Sequence, residues 1–152
     1  LNTPPEIYIS EQEEEWYKNF IKKYFGEEYG CLLLSQSRAH LNHRWEFDHH
    51  LFPHIEKFKH FPVFYYSSFN INSTDWKNKF SNFISFSDLN LSFREQMIIK
   101  QKAVFNVGYQ AGITDSISGG GSEIITLTNG NLKHNIVRGT KYVFKDGNFK
   151  TF

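Results

Sequence analysis

Residues 10–26 read SEQEEEWYKNFIKKYFG, and this stretch predicts the first element of the fold. Ser10 and Glu13 have the spacing of a capping box, in which each side chain bonds the backbone N–H of the other residue at a helix start. Large apolar residues then recur at every fourth position, and they are Trp16, Phe20 and Tyr24. The stretch therefore predicts an amphipathic helix over residues 10–25.

The sequence beyond this helix takes on the pattern of β-strands from residue 83 onward. Residues 102–109, KAVFNVGY, alternate between apolar and other positions, as strands do. Asn129-Gly130 and Asp146-Gly147 are dipeptides typical of two-residue hairpin turns. Residues 112–121 are rich in Gly, Ser and Asp and predict a loop between strands.

A helix followed by strands indicates the α+β class. We predict a single domain over residues 1–152, in which an N-terminal amphipathic helix packs on a mostly antiparallel sheet with C-terminal hairpins. The sheet is expected to have roughly four to six strands. Residues 1–9, LNTPPEIYI, predict a linker or an extended N-terminal segment. A chain of 152 residues is long enough to bury one sizeable core.

The composition excludes several classes of protein. Because 17 Lys and Arg nearly balance 16 Asp and Glu, a strongly basic nucleic-acid-binding surface is not expected. The aromatic share of 18% favours a folded domain over disorder. The single cysteine, Cys31, excludes an intrachain disulfide and a zinc site made of cysteines alone, and its three following leucines predict that it is buried. No apolar run approaches the roughly 20 residues of a membrane-spanning helix.

The C-terminal half carries a series of short motifs. Residues 103–109 read AVFNVGY, and the glycines at 119–121 are followed by EIITL and then by NGNLK at 129–133. Over residues 63–144 this series resembles a group of small secreted or lipid-anchored bacterial proteins of uncharacterised function. Those proteins usually have a Trp after the Asn-Gly turn, where this chain has Leu132. The resemblance implies an exported α+β domain, and it implies no activity and no catalytic residue.

Six of the seven histidines lie between residues 40 and 60, and they are His40, His43, His49, His50, His54 and His60. Neutral imidazole is the commonest protein ligand of transition metals. If residues 46–56 are helical, His50 and His54 lie one turn apart on one face, together with Glu46. The expectation is that no cofactor is bound, and the stretch is a candidate site for Zn²⁺ or another transition metal beside that expectation.

The ligands of this predicted metal site are His50, His54, Glu46 and His43, and Asp48 is available to complete the shell or to orient an imidazole. The alternative is a histidine cluster that lies at the surface or in an aromatic core without a metal. Pro53, between the two helical histidines, weakens the helix on which the site depends.

The same stretch also suits catalysis without a metal. Glu46, Asp48 and the histidines are residue types that act as general acids and bases, and Arg44 is a residue type that binds a phosphate group. They indicate, as the alternative function, a small hydrolase, either a nuclease or a toxin domain. No serine has the Gly-x-Ser-x-Gly context of a hydrolase nucleophile.

The leading functional prediction is a non-catalytic, exported or cell-envelope domain that binds a protein or a small ligand. It rests on the near-neutral charge, the lack of a catalytic motif and the resemblance. An immunity protein belongs to the same binding class. The expected location is the periplasm, the cell envelope or the outside, with the cytoplasm as the alternative. Trp16 and Trp76 are expected to be buried, and Trp45 to be partly exposed.

Overall fold

The computed structural model describes residues 7–26, 28–35, 44–110, 122–128 and 136–152. The α-helices in these ranges are α1 (Glu11–Tyr24), α2 (Phe52–Ile55) and α3 (Phe93–Lys102). The strands are β1 (Gly30–Leu34), β2 (Pro62–Ser67), β3 (Asn82–Ser85), β4 (Phe105–Tyr109), β5 (Glu123–Leu127), β6 (Lys141–Val143) and β7 (Phe149–Thr151). The predicted loop at 112–121 and the predicted turn at Asn129-Gly130 lie outside the described residues. In the described part of the chain, no helix is long and apolar enough to cross a membrane.

The predicted first helix is confirmed with its capping box. Ser10 Oγ accepts from the backbone N–H of Glu13 at 3.2 Å, and Glu13 Oε1 accepts from the backbone N–H of Ser10 at 3.1 Å. Arg94 Nε, in α3, donates to Glu13 Oε2 at 2.8 Å. The start of α1 is therefore tied to the start of α3.

The strands form one sheet in the order β3-β2-β1-β4-β5-β6-β7. The five pairs from β3 to β6 are parallel, and β7 is antiparallel to β6. The prediction that the chain combines helices with a sheet is confirmed, but the mostly antiparallel sheet is wrong. The Asp146-Gly147 turn does form a hairpin, with Gly147 at a φ of 89°. Strands β5 and β6 are parallel neighbours, so no two-residue hairpin turn joins them directly.

The sheet is covered on both faces, as is typical of parallel sheets. Cys31 and Leu33 belong to a core cluster with residues of α1 and α3. Leu32 and Leu34 belong to a second cluster, with α2 and the short 3₁₀ helices on the other face. Parallel strands are joined by crossovers that place helices on the sheet faces, so the strands become apolar runs rather than alternating ones. The sequence Cys-Leu-Leu-Leu is such a run.

The strand order reverses between β1 and β4. Strands β2 and β3 extend to one side of β1, and strands β5 and β6 extend to the other side of β4. This is the doubly wound arrangement, in which ligands bind outside the carboxyl ends of the strands where the order reverses. Tyr109, the last residue of β4, lies at that edge.

At Gly108 the backbone of β4 lies so close to the backbone of β1 that a side chain has no room. It pairs with Leu33 in β1, and a Cβ added to Gly108 would lie 1.9 Å from the carbonyl oxygen of Leu33. We expect Gly108→Ala to lower the free energy of unfolding by about 3 kcal/mol or more, because β1 and β4 must separate. Urea unfolding measures this.

The control is Gly139→Ala. Gly139 has a φ of 86°, and no atom of the described residues lies within 4 Å of an added Cβ, so the substitution strains the backbone without a clash against them. Its cost is expected to be about 1 kcal/mol. Equal losses for the two variants would contradict the close approach of β1 and β4.

Candidate functional site

A pocket of about 290 Å³ lies on the face of the sheet that α2 covers. Its walls are Trp45, Glu46, Asp48 and His49 from the 3₁₀ helix Arg44–His50, Phe52 from α2, and residues 73–76 from the connection between β2 and β3. We call it the Asp48 pocket. Trp76 is fully buried and Trp45 is 43% exposed, as the sequence predicted.

Asp48 is the central polar residue of this pocket, and it is only 4% exposed. Its Oδ2 accepts from Trp76 Nε1 at 2.5 Å and from the Tyr109 hydroxyl at 3.0 Å. Its Oδ1 is buried and has no hydrogen-bond partner among the described residues. Burial raises the pKa of Asp48 to about 6, and the hydrogen bonds from Trp76 and Tyr109 partly oppose that rise.

The hydrogen bond from Tyr109 connects the Asp48 pocket to the carboxyl end of β4. The pocket therefore lies beside the edge at which the strand order reverses. Sequence reasoning assigned Asp48 a place in a metal site or a role as a general acid or base, and it missed its partners. Trp76 and Tyr109 are 28 and 61 residues away from Asp48, so no local spacing connects them.

The predicted metal ligands do not meet at one place in the described residues. Residues 46–56 are not one helix, because the 3₁₀ helix ends at His50 and α2 begins at Phe52. Pro53 lies in the first turn of α2, where its missing N–H is tolerated. Glu46 lines the Asp48 pocket.

His50 and His54 contact the C-terminal hairpin instead. A Cβ added to Gly147 would lie 2.9 Å from His50 Nδ1, so His50 lies against the turn between β6 and β7. The His54 ring packs edge-on against Phe149 with 5.0 Å between ring centroids, and burial together with Lys141 and Lys57 lowers its pKa.

The metal site remains a prediction. His43 lies outside the described residues, and within them no three His, Cys, Asp or Glu side chains are grouped so that they could hold one ion. The prediction of a buried thiol is confirmed, since Cys31 is fully buried and burial raises its pKa to about 12.

The buried carboxyl group of Asp48 makes a specific pH dependence testable. Its pKa of about 6 is above the ordinary value of 3.8, so the folded state binds this proton more tightly than the unfolded state. The resulting stabilisation is present in acid and is lost as the pH rises through 6. At roughly 1.4 kcal/mol per pKa unit, the contribution is about 2 to 3 kcal/mol.

We expect Asp48→Asn to remove this contribution. Its free energy of unfolding relative to wild type should rise by about 2 to 3 kcal/mol as the pH is raised from about 4 to 7, measured by urea unfolding. Asp75→Asn changes an exposed carboxylate on the same pocket and should keep the wild-type pH profile. Parallel profiles for wild type and Asp48→Asn would contradict the raised pKa.

Comparisons of the chain with known protein families, with curated proteins and with solved structures give no match. The resemblance over residues 63–144 and the exported location that it implies stay predictions.

Proposed function

We propose that this chain is a small-ligand-binding domain and that the ligand occupies the Asp48 pocket. The observation that carries the proposal is the buried Oδ1 of Asp48, which has no partner among the described residues. A buried polar atom without a hydrogen bond costs about 1 to 3 kcal/mol. A ligand that donates to this carboxyl group would remove that cost.

The position of the pocket supports the same proposal. Doubly wound sheets bind ligands outside the carboxyl ends of their strands, and Tyr109 joins Asp48 to that edge. Ligand sites are usually concave, mostly apolar and equipped with a few converging polar groups. Trp45, Phe52 and Trp76 supply the apolar walls, and Asp48 supplies a polar group whose pKa is strongly shifted.

The sequence left a protein and a small molecule open as ligands. A pocket of about 290 Å³ suits a small molecule, since protein partners generally cover a much larger and flatter area. Export from the cell remains part of the proposal and is supported by the resemblance alone. The hydrolase alternative stays a prediction, and the carboxylates of Glu46, Asp48 and Asp75 in one pocket disfavour a nucleic acid as its substrate.

The three tryptophans allow a direct test, because they lie at different places in the fold. Trp45 and Trp76 line the pocket. Trp16 lies on the other face of the sheet, where it stacks on Phe20 with 5.2 Å between ring centroids. In protein labelled with 5-fluorotryptophan, a ligand in the pocket should move the ¹⁹F signals of Trp45 and Trp76 and leave that of Trp16 in place.

The probes are glucose, butyrate, adenosine monophosphate and butylammonium, each titrated to millimolar concentration. At least one should shift the Trp45 and Trp76 signals in a saturable way. Ser73→Phe, which places a ring at the pocket wall, should abolish the shift. Asn72→Phe, which alters a neighbouring exposed residue outside the pocket walls, should retain it. The proposal fails if no probe moves these signals or if Trp16 moves equally.

A further inference from the structure

The two hydroxyl groups that line the Asp48 pocket donate their hydrogens to backbone carbonyl oxygens. Ser73 Oγ donates to the carbonyl oxygen of Asn70 at 2.7 Å, and Thr74 Oγ1 donates to the carbonyl oxygen of Ile71 at 2.7 Å. The backbone N–H groups of Ser73 and Thr74 donate to the same two carbonyls, at 3.1 and 3.2 Å. Towards a ligand, both hydroxyl oxygens can therefore act only as acceptors.

The Trp76 indole and the His49 imidazole also donate a hydrogen within the protein. The one N–H of the Trp76 indole is donated to Asp48 Oδ2. His49 Nδ1 lies 3.2 Å from the carbonyl oxygen of Glu46, which can only accept, so Nδ1 carries the hydrogen. In the neutral ring Nε2 is then an acceptor.

The remaining polar groups of the pocket are the indole N–H of Trp45 and three carboxylates, from Glu46, Asp48 and Asp75. Ionised carboxylates accept hydrogen bonds and donate none. No Lys or Arg is found among the described residues that line the pocket. Lys79 contacts one of the walls, since its Nζ lies 4.2 Å from the centroid of the Phe52 ring. This contact shows that an aromatic wall of the pocket accepts an ammonium group on its face.

We propose, on the basis of the small-ligand function above, that the ligand of the Asp48 pocket is an organic cation that bears an ammonium or guanidinium group. An ammonium group brings three donors and no acceptor, and a guanidinium group brings five donors. Such a group matches an acceptor-rich wall and can donate to Asp48. Its charge complements the carboxylates, and the faces of Trp45 and Trp76 add cation–π attraction.

Other small ligands match these walls less well. A phosphate or carboxylate group needs donors and would meet three carboxylates. A sugar hydroxyl both donates and accepts, whereas the hydroxyls of Ser73 and Thr74, the Trp76 N–H and His49 Nδ1 already donate their hydrogens within the protein. The two classes that remain as outcomes of the test are thus anions and neutral polyols.

The test uses the fluorotryptophan signals with two pairs of probes that differ in charge and little in shape. Butylammonium is compared with butan-1-ol, and butylguanidinium is compared with butylurea. We expect each cation to bind at least about tenfold more tightly than its neutral counterpart, as judged from saturation of the Trp45 and Trp76 shifts.

Charge-removing variants test the role of the wall. Asp48→Asn and, as a second variant on an exposed side chain, Glu46→Gln should each weaken binding of butylguanidinium, the former by about tenfold or more. Asp88→Asn is the control, since Asp88 is an exposed carboxylate that does not line the pocket. It should bind as wild type does. The unchanged Trp16 signal reports that each variant is folded.

The outcomes separate this inference from the function on which it rests. One outcome is that glucose, butyrate or the neutral probes shift the Trp45 and Trp76 signals and that the cations bind no more tightly than they do. The proposal of a cationic ligand is then overturned, and the small-ligand function stands. If neither the cations nor any other probe shifts these signals, both are overturned. Equal cation binding by wild type, Asp48→Asn and Glu46→Gln would also overturn the inference.

Discussion

The burial of β1 on all sides is the constraint on which the fold depends. All five residues of Gly30–Leu34 are buried, with β2 on one edge, β4 on the other and helices on both faces. A strand with no exposed face cannot alternate between polar and apolar residues, so it becomes a run of leucines. Because both its edges are paired in parallel, the chain must leave and return by crossovers. Those crossovers create the edge beside which the Asp48 pocket lies.

The hydrogen bonds to Asp48 join two crossovers and the end of β4 at that edge. Asp48 follows β1, Trp76 follows β2, and Tyr109 ends β4, yet both donors reach the same carboxylate oxygen. A single buried oxygen thereby fixes the positions of segments that are far apart in the sequence. The arrangement leaves the other oxygen, Oδ1, without a partner among the residues described. The same carboxylate therefore holds these segments together and carries an acceptor that has no hydrogen bond.

The sequence predicted the parts of the fold that local patterns control. The capping box at Ser10, the aromatic stripe of α1 and the Asp146-Gly147 hairpin depend on residues within a few positions of each other, and each is confirmed. Strand direction is not local. The run after Gly30 is compatible with a parallel or an antiparallel partner, and the choice depends on contacts with Val63–Ser67 and Phe105–Gly108, far along the chain.

The candidate site was even less accessible from sequence. The histidines attracted a metal interpretation because of their number, but two of the predicted ligands pack against the C-terminal hairpin. Asp48 belongs to the stretch that the sequence analysis singled out. Its role in the site depends on contacts with Trp76 and Tyr109, which no spacing rule reveals. An acidic residue among Trp45, Phe47 and Leu51 is the one sequence signal that a carboxylate would be enclosed by apolar groups.

The two properties of Asp48 are coupled through its charge. Burial favours the protonated carboxyl group, whereas a cation in the pocket would favour the ionised one. A proton and an organic cation are therefore alternative occupants of the same group, and each opposes the other. This competition requires a ligand that interacts with the charge of Asp48. The binding of a neutral ligand held by the aromatic walls would not depend on whether Asp48 is ionised. The unmet acceptor and the raised pKa are thus two consequences of one carboxylate that is buried and only partly hydrogen-bonded among the residues described.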